Sequence, residues 1–281
     1  MAIQIGIELE MLNVTGNEVI EAWQEAGVNY SESIHGYHQG PSCTSGLWKM
    51  ERDGSLTGRT ATYDTKGALE VISPILYGAS DINTMNRFLT AIKRKGATVD
   101  RSCGTHITVG LNNKARFNNM SADKKCNMAN YIIDLYNHFS PVFNAMSPNV
   151  RNMHENSYMP APRNVEMAYG RLHGGNRGCV NVSKFITYGC IEFRQPGYTL
   201  DKKKIQLWLK IINKIISAAL NENHVSRSMS LREMPRTIEG FSTYLGLSNM
   251  VETMLRARVQ QLRDNHRRFR ESRDAVLGGE Q

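Results

Sequence analysis

The chain has 281 residues, 41% apolar and 21% charged, enough to bury the core of one large domain or of a domain with appendages. No stretch reaches the ~20 apolar residues of a membrane span. The opening MAIQIGIELE sets two glutamates in its apolar run and has no basic start, so no secretory signal is expected and cytoplasmic placement is. A net charge of +8 and a pI near 9.3 favour anionic partners in general, from nucleotides and phosphates to acidic substrates or nucleic acid. The five cysteines (Cys43, Cys103, Cys126, Cys179 and Cys190) are scattered and never spaced as C-x-x-C. That argues against a disulfide framework and structural zinc, and small buried thiols are expected at all five.

Over residues 3–12, Ile3, Ile5, Ile7, Leu9 and Met11 alternate with Gln4, Gly6, Glu8 and Glu10, the period of a half-buried strand. A short helix is expected over 18–26, and the Gly, Pro and Ser content of 35–46 marks a mobile loop. Strands over 48–52 and 68–73 flank the turn Asp53-Gly54-Ser55. Ser80 or Asp81 should cap a helix running to about residue 95; 105–111 reads as a strand; Ser121 should cap a long amphipathic helix through Tyr131, Leu135 and Phe139. Residues 147–176, rich in Pro, Asn, Gly and Met without clear periodicity, read as a long loop. A hairpin is expected from 178–183 and 188–195. Asp201 then caps a helix whose Ile205, Trp208, Leu209, Ile212, Ile215 and Ile216 follow helical spacing. Beyond Leu247 the tail is helical and basic. Hairpin signals outnumber βαβ units, which predicts an α+β fold: a largely antiparallel sheet with helices on one face. The principal domain spans 1–246 and the tail 247–281.

The strands share a chemical asymmetry. Glu8 and Glu10 oppose Ile7 and Leu9; Glu70 opposes Leu69 and Val71; His106 and Thr108 oppose Ile107 and Val109; Glu192 and Arg194 oppose Ile191 and Phe193. A solvated face is the ordinary outcome for an antiparallel sheet, but it would mix Lys, Thr and Ser freely. These positions hold four glutamates and no lysine, in a chain with more bases than acids. Carboxylates gathered without a counter-charge repel and partly protonate. A hard divalent cation removes the conflict, because Mg²⁺ takes carboxylate oxygens and shares itself with substrate phosphates. Arg194 beside them suits phosphate oxygens, its ordinary alternative being a salt bridge to a neighbouring glutamate; both can hold before a nucleotide arrives.

The blocks GIELE (6–10), ERDGSL (51–56), ALEVISPIL (68–76), CGTHITVGL (103–111) and CVNVSKFITYGCIEFRQPGYTLD (179–201) occur in that order. Together they resemble the amidoligase family, within the carboxylate–amine ligases related to glutamine synthetase and glutamate–cysteine ligase. The resemblance implies a saddle-like antiparallel sheet whose concave face binds ATP and about two or three Mg²⁺ ions, Mn²⁺ being able to substitute. It implies Glu8, Glu10, Asp53, Glu70, His106 and Glu192 as metal ligands, and His106, Asn181 and Arg194 as nucleotide contacts. Arg194 and Arg177 become the catalytic clamps on the transferring phosphoryl group, although Gly178 stands where the family carries a tyrosine. The implied reaction activates a small-molecule or peptide carboxylate as an acyl phosphate and joins it to an amine, with 35–46 and 147–176 as lids and substrate readers over a catalytic domain of 1–246.

Of the remaining residues, His35, His38, His154 and His173 read as solvated loop histidines. Met146, Met153, Met159 and Met167 read as gap fillers. Arg151, Arg163 and Arg171 either bind substrate carboxylates or pair at the surface. Seven arginines between Arg256 and Arg273 alternate with acids, the pattern of a solvated, salt-bridged helix, with polyanion binding or an oligomer contact as the alternative. A nucleic-acid-binding protein would need arginines and aromatics on a common face. The arginine run offers only Phe269, so nucleic acid is a disfavoured partner; no membrane partner is expected, and an oligomer is allowed. A catalytically silent nucleotide-binding relative should have lost ligands, and all are present.

Overall fold

The computed structural model describes residues 3–56, 58–148, 160–168, 171–174, 178–220 and 230–277. In chain order the strands are β1 (Gln4–Val14), β2 (Tyr30–His35), β3 (Trp48–Glu51), β4 (Gly67–Ile72), β5 (Leu76–Tyr77), β6 (Thr105–Gly110), β7 (Val165–Ala168), β8 (Arg171–Gly174), β9 (Val180–Asn181) and β10 (Cys190–Phe193). The helices are α1 (Gly16–Ala26), α2 (Gly78–Arg94), α3 (Ala115–Asn118), α4 (Ala122–His138), α5 (Ser140–Met146), α6 (Phe185–Tyr188), α7 (Lys202–Ala219), α8 (Ile238–Leu245) and α9 (Asn249–Leu277). Eight strands form one open sheet of order β2-β3-β4-β1-β6-β10-β9, with β5 beside the start of β1. Its pairings are antiparallel except for β2 with β3.

Period-two alternation does what it predicts: one face of the sheet is apolar across β1, β4, β6 and β10. Ile7, Leu9 and Met11 of β1, Leu69 and Val71 of β4, Ile107 and Val109 of β6, and Ile191 and Phe193 of β10 are fully buried. They share one core with Phe88 and Ile92 of α2, Tyr136 of α4, Phe143 of α5 and Trp208 and Ile212 of α7. Aromatic rings link the layers: Tyr136 stacks on Phe143 at 4.0 Å and lies tilted 5.8 Å from Phe193, and Phe143 stacks on Trp208 at 6.1 Å. Each such side chain contributes about 1.5–3 kcal/mol on burial. This layer fixes the sheet, leaving its other face for chemistry.

Helix starts follow local capping chemistry. Thr15 accepts the Glu18 N–H while Glu18 returns a carboxylate to the Thr15 N–H, a reciprocal box. Ser121 accepts the Lys124 N–H, and Asp201 accepts the Lys203 N–H. Helix α2 corrects the expectation at Ser80 or Asp81: it begins at Gly78, and Asp81 instead accepts the Tyr77 N–H at 2.6 Å. Within 147–176 the expected loop gives way to a hairpin, β7 with β8. Asn130 of α4 holds both backbone groups of Val165 at 2.8 Å, a tertiary contact that no periodicity over four residues announces.

Strand β2 precedes the expected loop and ends at its first residue, His35. Its outer edge is blunted by Tyr63, whose hydroxyl accepts the Ile34 N–H and donates to the Glu32 carbonyl. The thiol expectation holds for Cys103, Cys126 and Cys179, which are buried, but Cys43 is exposed in the 3₁₀ turn Cys43–Ser45 and Cys190 is half-buried. Val251, Leu255 and Val259 of α9 belong to the main core, and Arg258 donates to the Met146 carbonyl. Arg256 pairs with Glu252 and Glu239, and Arg267 with Asp264, the internal salt bridging expected of the tail. Among the described residues, no helix is long and apolar enough to cross a membrane.

Candidate metal and nucleotide site

Directly opposed residues of paired strands share a face, so the register assembles the site. Glu10 of β1 faces Glu70 of β4, which faces Glu51 of β3, making a row of three carboxylates across three strands. Next along β1, Glu8 faces His106 of β6. On the far side, Glu192 of β10 sits between Thr108 and Asn181.

His106 is the hub, with only 4% of its surface exposed. Its Nδ1 lies 3.1 Å from Glu8 Oε2 and 3.7 Å from Glu192 Oε1; its Nε2 lies 4.0 Å from Glu10 Oε1. Two groups of side chains follow, Glu8–His106–Glu192 and Glu10–Glu70–His106, each with one donor atom per residue inside 4.8 Å. His106 Nε2 is buried without a hydrogen-bond partner among the described residues, an arrangement that costs stability unless something occupies its lone pair or proton. Gly104 makes this closeness attainable. Its N–H donates to Glu10 Oε2, and a Cβ there would stand 2.6 Å from His106 Nε2 and 3.2 Å from both Glu10 oxygens.

Electrostatics registers the crowding. Burial, then repulsion from Glu8, Glu10, Asp53 and Glu51, pushes the Glu70 carboxyl up to about 9. Burial works against the Glu8 carboxylate too, but its hydrogen bond to His106 and the charges of His106, Arg194 and His38 outweigh it and hold Glu8 below its ordinary value. Asn181 donates to Glu192 Oε2 at 3.0 Å, and Arg194 Nη1 lies 2.5 Å from Glu192 Oε1. In this arrangement Arg194 is paired with Glu192, and it stands beside the Glu8–His106–Glu192 group.

Of the residues singled out in the sequence, Glu8, Glu10, Glu70, His106, Glu192, Arg194 and Asn181 converge on this one face. Asp53 lies just past β3, where its Oδ1 accepts the Ser55 N–H at 2.7 Å; it joins neither donor group, though its charge reaches Glu70. Arg177, Arg151, His154, Met153 and Met159 lie outside the described residues. Arg163 is exposed, His35 shares a hydrogen bond with Ser31, and Met146 is in the core. Glu51 was missed. It is fully buried, with Lys49 Nζ at 2.5 Å from Oε1 and the His38 N–H donating to Oε2. The signal was present: alternation around the inward Met50 places Lys49 and Glu51 on the polar face, which therefore carries one lysine after all.

A family described as "Putative amidoligase enzyme" matches residues 2–216. The chain belongs to this amidoligase family. Membership suggests an amide-bond ligase, with a carboxylate and an amine as substrates in general. The matched stretch contains every residue of the acid face named above. No curated protein matches the chain.

Proposed function

We propose that this amidoligase-family chain is an ATP-dependent carboxylate–amine ligase that works through an acyl phosphate, on a sheet of the glutamine-synthetase and glutamate–cysteine-ligase kind. The observation that carries the proposal is the pair of donor groups sharing His106, with Arg194 alongside. The donors are carboxylate oxygens plus one imidazole, a set that suits Mg²⁺ or Mn²⁺, and the unpartnered His106 Nε2 fits a ligand position. Glu8, Glu10, Glu70, His106 and Glu192 would hold the ions, with Asp53 adding charge from the rim. Bound there, Mg²⁺ would neutralise ATP phosphate charge.

The chain's own groups do the rest. A substrate carboxylate oxygen bonds to the γ-phosphorus as the bond to the bridging oxygen of ADP breaks. Arg194, released from Glu192, donates its fork to the transferring phosphoryl oxygens, where donors fixed in advance act most strongly. Arg177 takes the second clamp role. Asn181 keeps Glu192 oriented while Arg194 is away. The amine then attacks the acyl carbon and expels phosphate, which carries away the amine's proton, leaving the amide. Water must be kept out of this step, and the 35–46 and 147–176 segments take that role in the proposal. The chemistry lies within residues 1–246, and 247–281 supports the fold.

Incubation with ATP, Mg²⁺ and a panel of amino acids and short peptides, followed by phosphate release and product mass, tests the reaction. Calorimetry tests the metal: nucleotide affinity should collapse on chelation, and equal affinity with and without metal would overturn the proposal.

A further inference from the structure

Beside the acid row, residues 36–40 hold an uncommon backbone. His38 has φ of 57°, a left-handed conformation that side chains other than glycine keep only where the surroundings impose it. The imposing contacts are specific. The His38 N–H donates to Glu51 Oε2 at 2.8 Å, the other Glu51 oxygen holds Lys49 Nζ at 2.5 Å, and Lys49 donates to the Gln39 carbonyl at 3.2 Å. Gly40, with φ of 89°, lies so close to His35 that a Cβ would stand 2.6 Å from its ring. The turn is thus clamped to a buried carboxylate that directly opposes Glu70.

The product of this clamping is a pair of rings. Tyr37 lies with its centroid 3.8 Å from that of His38, tilted by 34°, and is 56% exposed. His38 is also near enough to Glu8 for its charge to act there. Glu51, which anchors His38, stands two strand spacings from Glu10, about 10 Å. A phosphate chain held over Glu8, Glu10 and Glu192 therefore leaves its nucleoside end within reach of this turn.

We propose that the Tyr37–His38 ring pair is the stacking platform for the planar base of the nucleotide, with Glu51 and Lys49 as the positioning residues that hold it. This rests on the nucleotide-dependent ligase reading and adds the residues that recognise the base. Stacking on an aromatic face is tolerant of base identity and loses about 5- to 150-fold in affinity when the ring is removed.

The test is calorimetry of wild type, Tyr37→Leu and Tyr37→Phe with ADP and with inorganic tripolyphosphate, both in Mg²⁺. Melts of both variants accompany the titrations, and the tripolyphosphate affinity reports whether the phosphate site is intact. The platform predicts that Tyr37→Leu weakens ADP by that factor and leaves tripolyphosphate unchanged, while Tyr37→Phe keeps both. Equal losses for the two ligands would make the turn a purely structural element, and unchanged ADP affinity would put the base elsewhere; either overturns the platform and spares the ligase reading. Wild type that binds neither ligand would overturn both.

Discussion

Glu70 is the residue on which the acid face is least comfortable. Its carboxyl is pushed up to about 9 from an ordinary 4.5 by burial and by four neighbouring acids, so the metal-free native state holds a proton that the unfolded chain releases near pH 4.5. Between about pH 5 and 8.5 the native state therefore binds more protons than the unfolded state, and its stability falls as pH rises. Thermal melts in chelator should show a melting temperature that declines across this window. Glu70→Gln should flatten the decline and raise the melting temperature at the alkaline end, while weakening metal-dependent nucleotide binding. A wild-type melting temperature that climbs through the window would contradict the crowding.

At the scale of elements, the proposed catalytic role is sharpest on β10. Ile191 and Phe193 anchor its core face, so Glu192 and Arg194 must both project to the acid face, and their register against β6 and β9 fixes where. Arg194→Lys keeps a charge but loses the planar fork. Turnover should drop by about 10²-fold or more, well beyond any loss of ATP affinity. Were the Arg194–Glu192 contact only a surface ion pair, the change would be within about 1 kcal/mol of stability and turnover would be near normal. Steady-state kinetics with melts of the same variant separate the two. Strand β3 shows where pattern reading falters: it is four residues long, and the resemblance points to Asp53 in the turn that follows it, not to Glu51. Only the pairing with β4 identifies Glu51 as the member of the row.

For the whole molecule, the question is what the basic tail does. The family match ends at residue 216, yet Phe241 and Leu245 of α8 and Val251, Leu255 and Val259 of α9 are buried in the same core as the sheet. Losing the three from α9 removes about 1.5–3 kcal/mol each, a large part of the ~5–15 kcal/mol that holds a domain together. Truncation at residue 246 should therefore lower the melting temperature markedly, and the folded fraction should still bind ADP with Mg²⁺. An unchanged melt would make α9 an independent appendage. A cut after Arg256 would already remove Arg258 and Val259, so it too should cost stability.

The sequence by itself determined the acid faces of β1, β4, β6 and β10 with the residues that stand on them, and the capped starts at Ser121 and Asp201, because strand alternation and helix capping are set by neighbours along the chain. It also carried enough ordered blocks for the family to be legible before any geometry. What only the tertiary structure decided is which acids meet. Register placed Glu51, Glu70 and Glu10 in one row and left Asp53 at the rim; packing around Gly104 brought His106 Nε2 against Glu10; and a buried glutamate from β3 locked His38 into a left-handed turn beside Glu8. These are contacts between residues tens of positions apart, governed by strand pairing and close packing, and local sequence pattern does not encode distance across a sheet.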